Sequence, residues 1–174
     1  LKKVSRVLQT SIFLSIFFLI LRFLPMRSIQ LILALFLSDI GSISLSTDNE
    51  LYSNHPDTWN IKVVFLVSLM FGIVAITQVT VLAYFGLDFM KLPSAQFQTF
   101  IFLIFIASME LMTLSMRERR SFWSSMPSIF VLSQIITSIA IAAILSYYGI
   151  LMTAISLYAM LLVLIISVLF LLLM

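Results

Sequence analysis

Residues 61–86 read IKVVFLVSLMFGIVAITQVTVLAYFG, and past Lys62 no charged side chain interrupts them. Wound as an α-helix at 1.5 Å per residue, such a stretch is about 39 Å long, more than the roughly 30 Å hydrocarbon core of a bilayer. It predicts a membrane-spanning helix. Working outward, five further stretches of about twenty mostly apolar residues meet the same requirement. They run over residues 4–24, 29–47, 96–116, 128–148 and 152–174.

Turn-forming and polar residues fall between these stretches: Pro25 with Arg27, Asn54 to Asp57, Lys91 to Pro93, Arg117 to Pro127, and Tyr147 to Gly149. The expected fold is therefore all-α, a polytopic membrane protein of six transmembrane helices in three hairpins. No repeat or low-complexity linker divides it, so residues 1–174 read as a single transmembrane domain. Leu1 is not a methionine, and Met174 lies inside an apolar run. The chain accordingly reads as a piece of something longer.

Composition agrees. Apolar residues make up 62% and charged residues 10%, against about half and about a quarter in a soluble domain. The net charge of +3 is small and scattered, which argues against a nucleic-acid partner. The partner implied is the lipid bilayer. With no cysteine, disulfide frameworks, thiolate metal sites and cysteine nucleophiles are all excluded. Lys2, Lys3 and Arg6 lead into an apolar run too long for a signal-peptide core, and no small-residue cleavage site follows it.

Lysines and arginines near the helix ends set the expected orientation. With a cytoplasmic amino end, that side holds Lys2, Lys3, Arg6, Lys62, Arg117, Arg119 and Arg120, and the other holds Arg22, Arg27 and Lys91. The excess places both ends in the cytoplasm, with Trp59 and Trp123 at the inner interface.

Asp39 is the most informative residue, because it sits near the middle of the second apolar stretch. A carboxylate at that depth costs roughly 2.5 to 3.5 kcal/mol on insertion scales. Ser42 and Ser46 follow at offsets of three and seven, on the helical face of Asp39, and predict a polar stripe directed into the bundle. Gly41, among Ser38, Ser42 and Ser44, is expected to loosen the helix and offer backbone carbonyls beside the carboxylate. Two readings stand: ion or proton handling, and an acid that only hydrogen-bonds a neighbouring helix.

Glu110 is the second acid within a span. It lies about 10 Å before Arg117, which predicts a position shallower than mid-membrane, from which the side chain partly reaches the interface or pairs with a polar neighbour. Arg22 is expected to snorkel outward with Arg27, since folding at Pro25 sets Asp39 about 20 Å away from it along the helix. His55, the single histidine, lies in a loop beside Asp57 and cannot form a metal site alone. No residue set here suits nucleotide hydrolysis, so no catalytic, cofactor-binding or metal-binding residue is assigned. The candidate ion-binding set is Asp39, Glu110, Ser38 and Ser42.

The run from Leu35 to Gly41, followed by Ser46-Thr47-Asp48-Asn49, resembles the sixth transmembrane helix of P-type proton-pumping ATPases of the plasma-membrane and archaeal type, type III. Four further elements follow in the family's order. Asp57 to Lys62 looks like the approach to the seventh helix, Gln98 to Leu103 like the start of the eighth, and Arg117 to Pro127 like the connection after it. Tyr148 to Met152 is similar to the loop before the tenth. The resemblance covers essentially the whole chain and implies the carboxyl-terminal membrane domain, helices five to ten.

It also implies an ATP-driven proton pump of the plasma membrane, in which Asp39 takes up and releases the transported proton. Helices one to four and the cytoplasmic domains of the same pump become partners, and ATP with Mg2+ belongs to those domains. The chain itself contains no phosphorylation motif. Ser38 stands where the family has Asn, Gly41 where archaeal relatives have Pro, and Thr10 where the fifth helix carries an Arg. Glu110 falls where relatives commonly have Gln or His. A proton also suits one principal deep carboxylate better than calcium, which usually wants six to eight oxygens. A free-standing proton- or cation-coupled secondary transporter or channel using Asp39 and Glu110 is the alternative, and a membrane scaffold subunit is a third reading.

Overall fold

A computed structural model describes residues 2–44, 61–117 and 126–173. Ser46 to Asn49, His55, Asp57, Trp59 and Trp123 lie outside these residues, and with them parts of the resemblance. The described residues are all-helical, as expected. Six helices follow one another: α1 (Lys2–Leu21), α2 (Ser28–Ser44), α3 (Ile61–Tyr84), α4 (Ser94–Arg117), α5 (Ile129–Tyr148) and α6 (Leu157–Leu173). One π turn, Phe85–Phe89, extends α3.

The segments Ile61–Phe89, Ser94–Ser115 and Ile129–Tyr148 are long and apolar enough to cross a membrane, while α1, α2 and α6 contribute shorter apolar helices. The distribution of side chains is the reverse of a soluble protein's. Ile32, Phe36, Phe65, Met70, Phe130, Ile136 and Ile165 stand exposed, whereas Gln9, Gln30, Gln78, Thr99, Ser138 and Ser167 are buried. Such a surface belongs in lipid, where polar groups must find partners inside the bundle.

α4 is the axis. Every residue from Phe97 to Glu110 other than Gln98 is buried, because its sequence is apolar on all sides and the other five helices pack around it. α1 lies chiefly on α3, and α2 lies on α4 and α5. Gln78 on α3 donates from Nε2 to Ser167 Oγ on α6 at 3.0 Å, an interhelical bond of the kind worth about 0.6 kcal/mol in a membrane.

The α1–α2 hairpin is tied to the start of α4. Arg22, at φ 57, closes α1 in the left-handed conformation. The backbone N–H of Arg27 donates to Gln30 Oε1 at 2.9 Å, one half of a capping box for α2. Gln98 then donates from Nε2 to the Leu24 carbonyl at 2.8 Å and accepts from Arg27 Nε at 3.0 Å. Gln30 Nε2 reaches Thr99 Oγ1 at 3.4 Å, and the Phe23 and Phe97 rings meet edge to face. The start of α4 therefore lies level with the end of α1 and the beginning of α2. It follows that α4 runs parallel to α2 and antiparallel to α1.

Elsewhere the sequence sets the boundaries through caps. Ser128 Oγ accepts from the Val131 N–H at the start of α5. Gly149 ends α5 at φ 69. α6 starts at Leu157 rather than 152, because the Ile155 N–H bonds back to the Ser146 carbonyl and Ser156 Oγ receives the Ala159 N–H. A Cβ on Gly149 would come within 3.0 Å of the Ala154 nitrogen. Gly149→Ala is therefore expected to cost about 1 kcal/mol or more, read as a lower midpoint of unfolding by SDS in mixed micelles. A midpoint equal to wild type would reject this account of the α5–α6 turn.

Candidate functional site

Asp39 is held by an arginine from the other arm of its own hairpin. Arg6 Nη1 donates to Asp39 Oδ1 at 2.8 Å. The two ends differ in environment: the Arg6 side chain is 10% exposed and that of Asp39 is 53% exposed. The guanidinium is thus anchored inside the protein, while half of the carboxylate opens on the flank of the bundle.

The expected inward stripe is corrected by this arrangement. Gln30, Ala34, Leu37, Ser38 and Gly41 are the buried residues of α2, spaced three and four apart so that they form one face. Asp39 follows Ser38 by one residue, a rotation of about 100°, and so lies beside that face toward α1. Ser42 is half-buried and donates to the Ser38 carbonyl at 3.1 Å, and Ser44 donates to the Gly41 carbonyl at 3.0 Å. α2 stays helical through this region. Ser42 and Ser44 thus bond their own helix, as serines within helices commonly do.

Glu110 is fully buried on α4, so its side chain lies inside the bundle rather than reaching out to an interface. The contact between Gln30 and Thr99 sets the register of the two parallel helices. Asp39 is nine residues past Gln30, and Glu110 is eleven past Thr99. At 1.5 Å per residue the two acids differ in depth by about 3 Å. The site therefore has two carboxylates at one level, one on the flank and paired with arginine, the other enclosed within α4's packing.

Arg6, which holds Asp39, is placed by sequence reading elsewhere, in the basic cluster at the amino end. The signal was present. About a midpoint at residues 24 and 25, position 39 falls opposite position 10, and Arg6 lies one turn from Thr10, within reach of its long side chain. Arg22 and Arg27 are exposed at the hairpin end, as expected. Among the described residues no three His, Cys, Asp or Glu side chains converge as a metal site would require.

An all-helical bundle with an apolar exterior points to a membrane protein, and within it the Arg6–Asp39 pair lies level with the buried Glu110. No protein-family model matches the chain. The chain is 23% identical over 121 residues to a protein of Methanocaldococcus jannaschii named "Putative cation-transporting ATPase". The match covers 70% of this chain but 15% of that relative. A distant relation to part of a cation-transporting ATPase is what this similarity supports.

Proposed function

We propose that this chain is the ion-translocating membrane portion of an ATP-driven proton pump of the plasma membrane, with Asp39 as the carboxylate that loads and unloads the proton. The single observation carrying this reading is the Arg6–Asp39 pair, buried at the arginine and half open at the acid. An ionised carboxylate facing hydrocarbon is too costly to be left there. Its open half suits a face against which the remaining helices of the pump pack, and through which a proton arrives. A proton reaching Asp39 cancels the ion pair, and Arg6 recovers its partner when the proton leaves.

Thr10 occupies the place where the resembled family carries its arginine, and Arg6 supplies the missing charge from one turn away. Ser38 and Ser42 shape the helix beside the acid, and Glu110 is the second carboxylate at that depth. ATP and Mg2+ act on cytoplasmic domains outside this chain. The six helices cross the membrane with both ends cytoplasmic, which puts Arg6 on the cytoplasmic side of Asp39.

The test is flux in proteoliposomes holding the complete protein that contains this chain. ATP-dependent acidification of the lumen is the expected result. Transport driven by an ion gradient without ATP would support the free-standing transporter instead, and absence of flux under both conditions would support the scaffold reading.

A further inference from the structure

The inner side of α1 carries a second polar cluster that the Arg6–Asp39 pair does not use. Arg6, Gln9, Phe13 and Phe17 recur at spacings of three and four and are all buried, so they form one face. Gln9 is 0% exposed, and neither Oε1 nor Nε2 has a hydrogen-bond partner. Ser108 on α4, 2% exposed, likewise has an unpartnered Oγ, and Arg6 Nε lacks an acceptor. Leaving a buried amide unsatisfied costs about 1 to 3 kcal/mol, so three such groups in one bundle require an explanation.

Register places them at one level. The Phe13 and Phe105 rings lie 5.2 Å apart between antiparallel α1 and α4. Gln9 is four residues before Phe13, and Ser108 is three after Phe105, so both lie about 5 to 6 Å farther along in the same direction. By the Gln30–Thr99 register, Ser108 and Asp39 each lie nine residues on, at equal depth.

The chemistry of the orphaned atoms selects their ligand. Arg6 Nε and Gln9 Nε2 can only donate, Gln9 Oε1 can only accept, and Ser108 Oγ can do both. A metal cation would use the acceptors alone, strand both N–H donors and sit beside a guanidinium. Water satisfies both kinds, and a buried water typically makes about three hydrogen bonds to such groups.

We infer that Gln9 and Ser108 hold buried water between α1 and α4, forming a hydrogen-bonded station that adjoins the Arg6–Asp39 pair and carries protons rather than metal ions. This rests on the proposed transport role for its function, although not for the presence of water. Water oriented by the amide passes a proton by exchanging hydrogen bonds with its neighbours, with no heavy ion needing room to move.

The experiment is radiolytic hydroxyl-radical labelling of the complete protein in nanodiscs. Met109 is the probe, being 1% exposed and level with Gln9. Activated bound water oxidises a neighbouring methionine to its sulfoxide. Oxidation of Met109 in the wild type is expected, with marked reduction in the Gln9→Leu, Ser108→Ala double variant. An unlabelled Met109 in the wild type, or equal labelling in both proteins, overturns the inference. Suppression of the labelling by sodium or calcium, compared with an organic cation, overturns it too.

Should the double variant not fold, the wild-type labelling and its response to cations still decide. In the transport assay, Gln9→Leu is expected to slow proton flux about tenfold, the equivalent of one lost hydrogen bond. Unchanged flux in that variant removes the relay, whereas failure of the Asp39 reading appears separately, as pumping that survives Asp39→Asn.

Discussion

Asp39→Asn abolishes ATP-driven proton uptake while Arg6→Gln combined with Asp39→Asn recovers stability without recovering transport: this pair of results is the expected outcome of the central experiment. The single substitution strands a guanidinium that is 10% exposed. Breaking a well-buried pair costs about 3 to 5 kcal/mol, and the half-open acid lowers this to about 1 to 3 kcal/mol here. Lost transport in the single variant could therefore reflect a weakened fold. Removing both charges relieves the stranded arginine and separates the two causes.

Unfolding midpoints in mixed micelles and proton uptake in vesicles, measured on all four proteins of the cycle, supply the comparison. A double variant that both folds and pumps would reduce Asp39 to a bond between helices and sink the transport role. A single Asn variant that pumps at the wild-type rate would do the same more directly.

The second large effect concerns α4. Phe105 is 0% exposed and touches Phe13, whereas Phe130 on α5 is 66% exposed. Phe105→Ala is expected to destabilise the protein by about 3 to 5 kcal/mol, the range for emptying a packed aromatic site. Phe130→Ala loses contacts that lipid chains replace, and is expected to change stability by less than about 1 kcal/mol. Equal midpoints for the two variants would refute the placement of α4 at the centre and of α5's outer face against lipid.

Helix number and type were legible because the signal for a spanning helix is long and nearly free of charge, as in residues 61–86. Turn positions were legible for a related reason: Pro25, Pro93 and Gly149 impose local conformations that few sequences override. The start of α6 was less so, since its boundary depends on Ile155 bonding to Ser146 across a turn. Hydropathy registers no such contact.

Within the site, depth was easier to read than direction. Asp39 stood out by its position in an apolar stretch, but which way it turns depends on which face α4 and α5 take, and Ser38 and Gly41 fill that face. Distance from Arg117 says how far Glu110 lies from the end of α4, whereas its burial follows from five helices surrounding α4. Charge-counting groups Arg6 with the terminal lysines, because it treats every residue near a helix end as solvated. Gln9 carries no charge to mark it in the sequence. Its importance lies in unmet hydrogen bonds, which become visible only when its neighbours are known.

The enclosure of α4 couples it to the whole molecule. A rod gripped by five others cannot tilt without dragging all of them. Arg6 and Asp39 ride on the two arms of a hairpin whose closed end is tied to α4 through Gln98 and Gln30, while α1 is seated on α3 and α2 on α4 and α5. Their bond therefore joins two arms that rest on different neighbours, and a change in the charge of either residue is felt where those two seats meet.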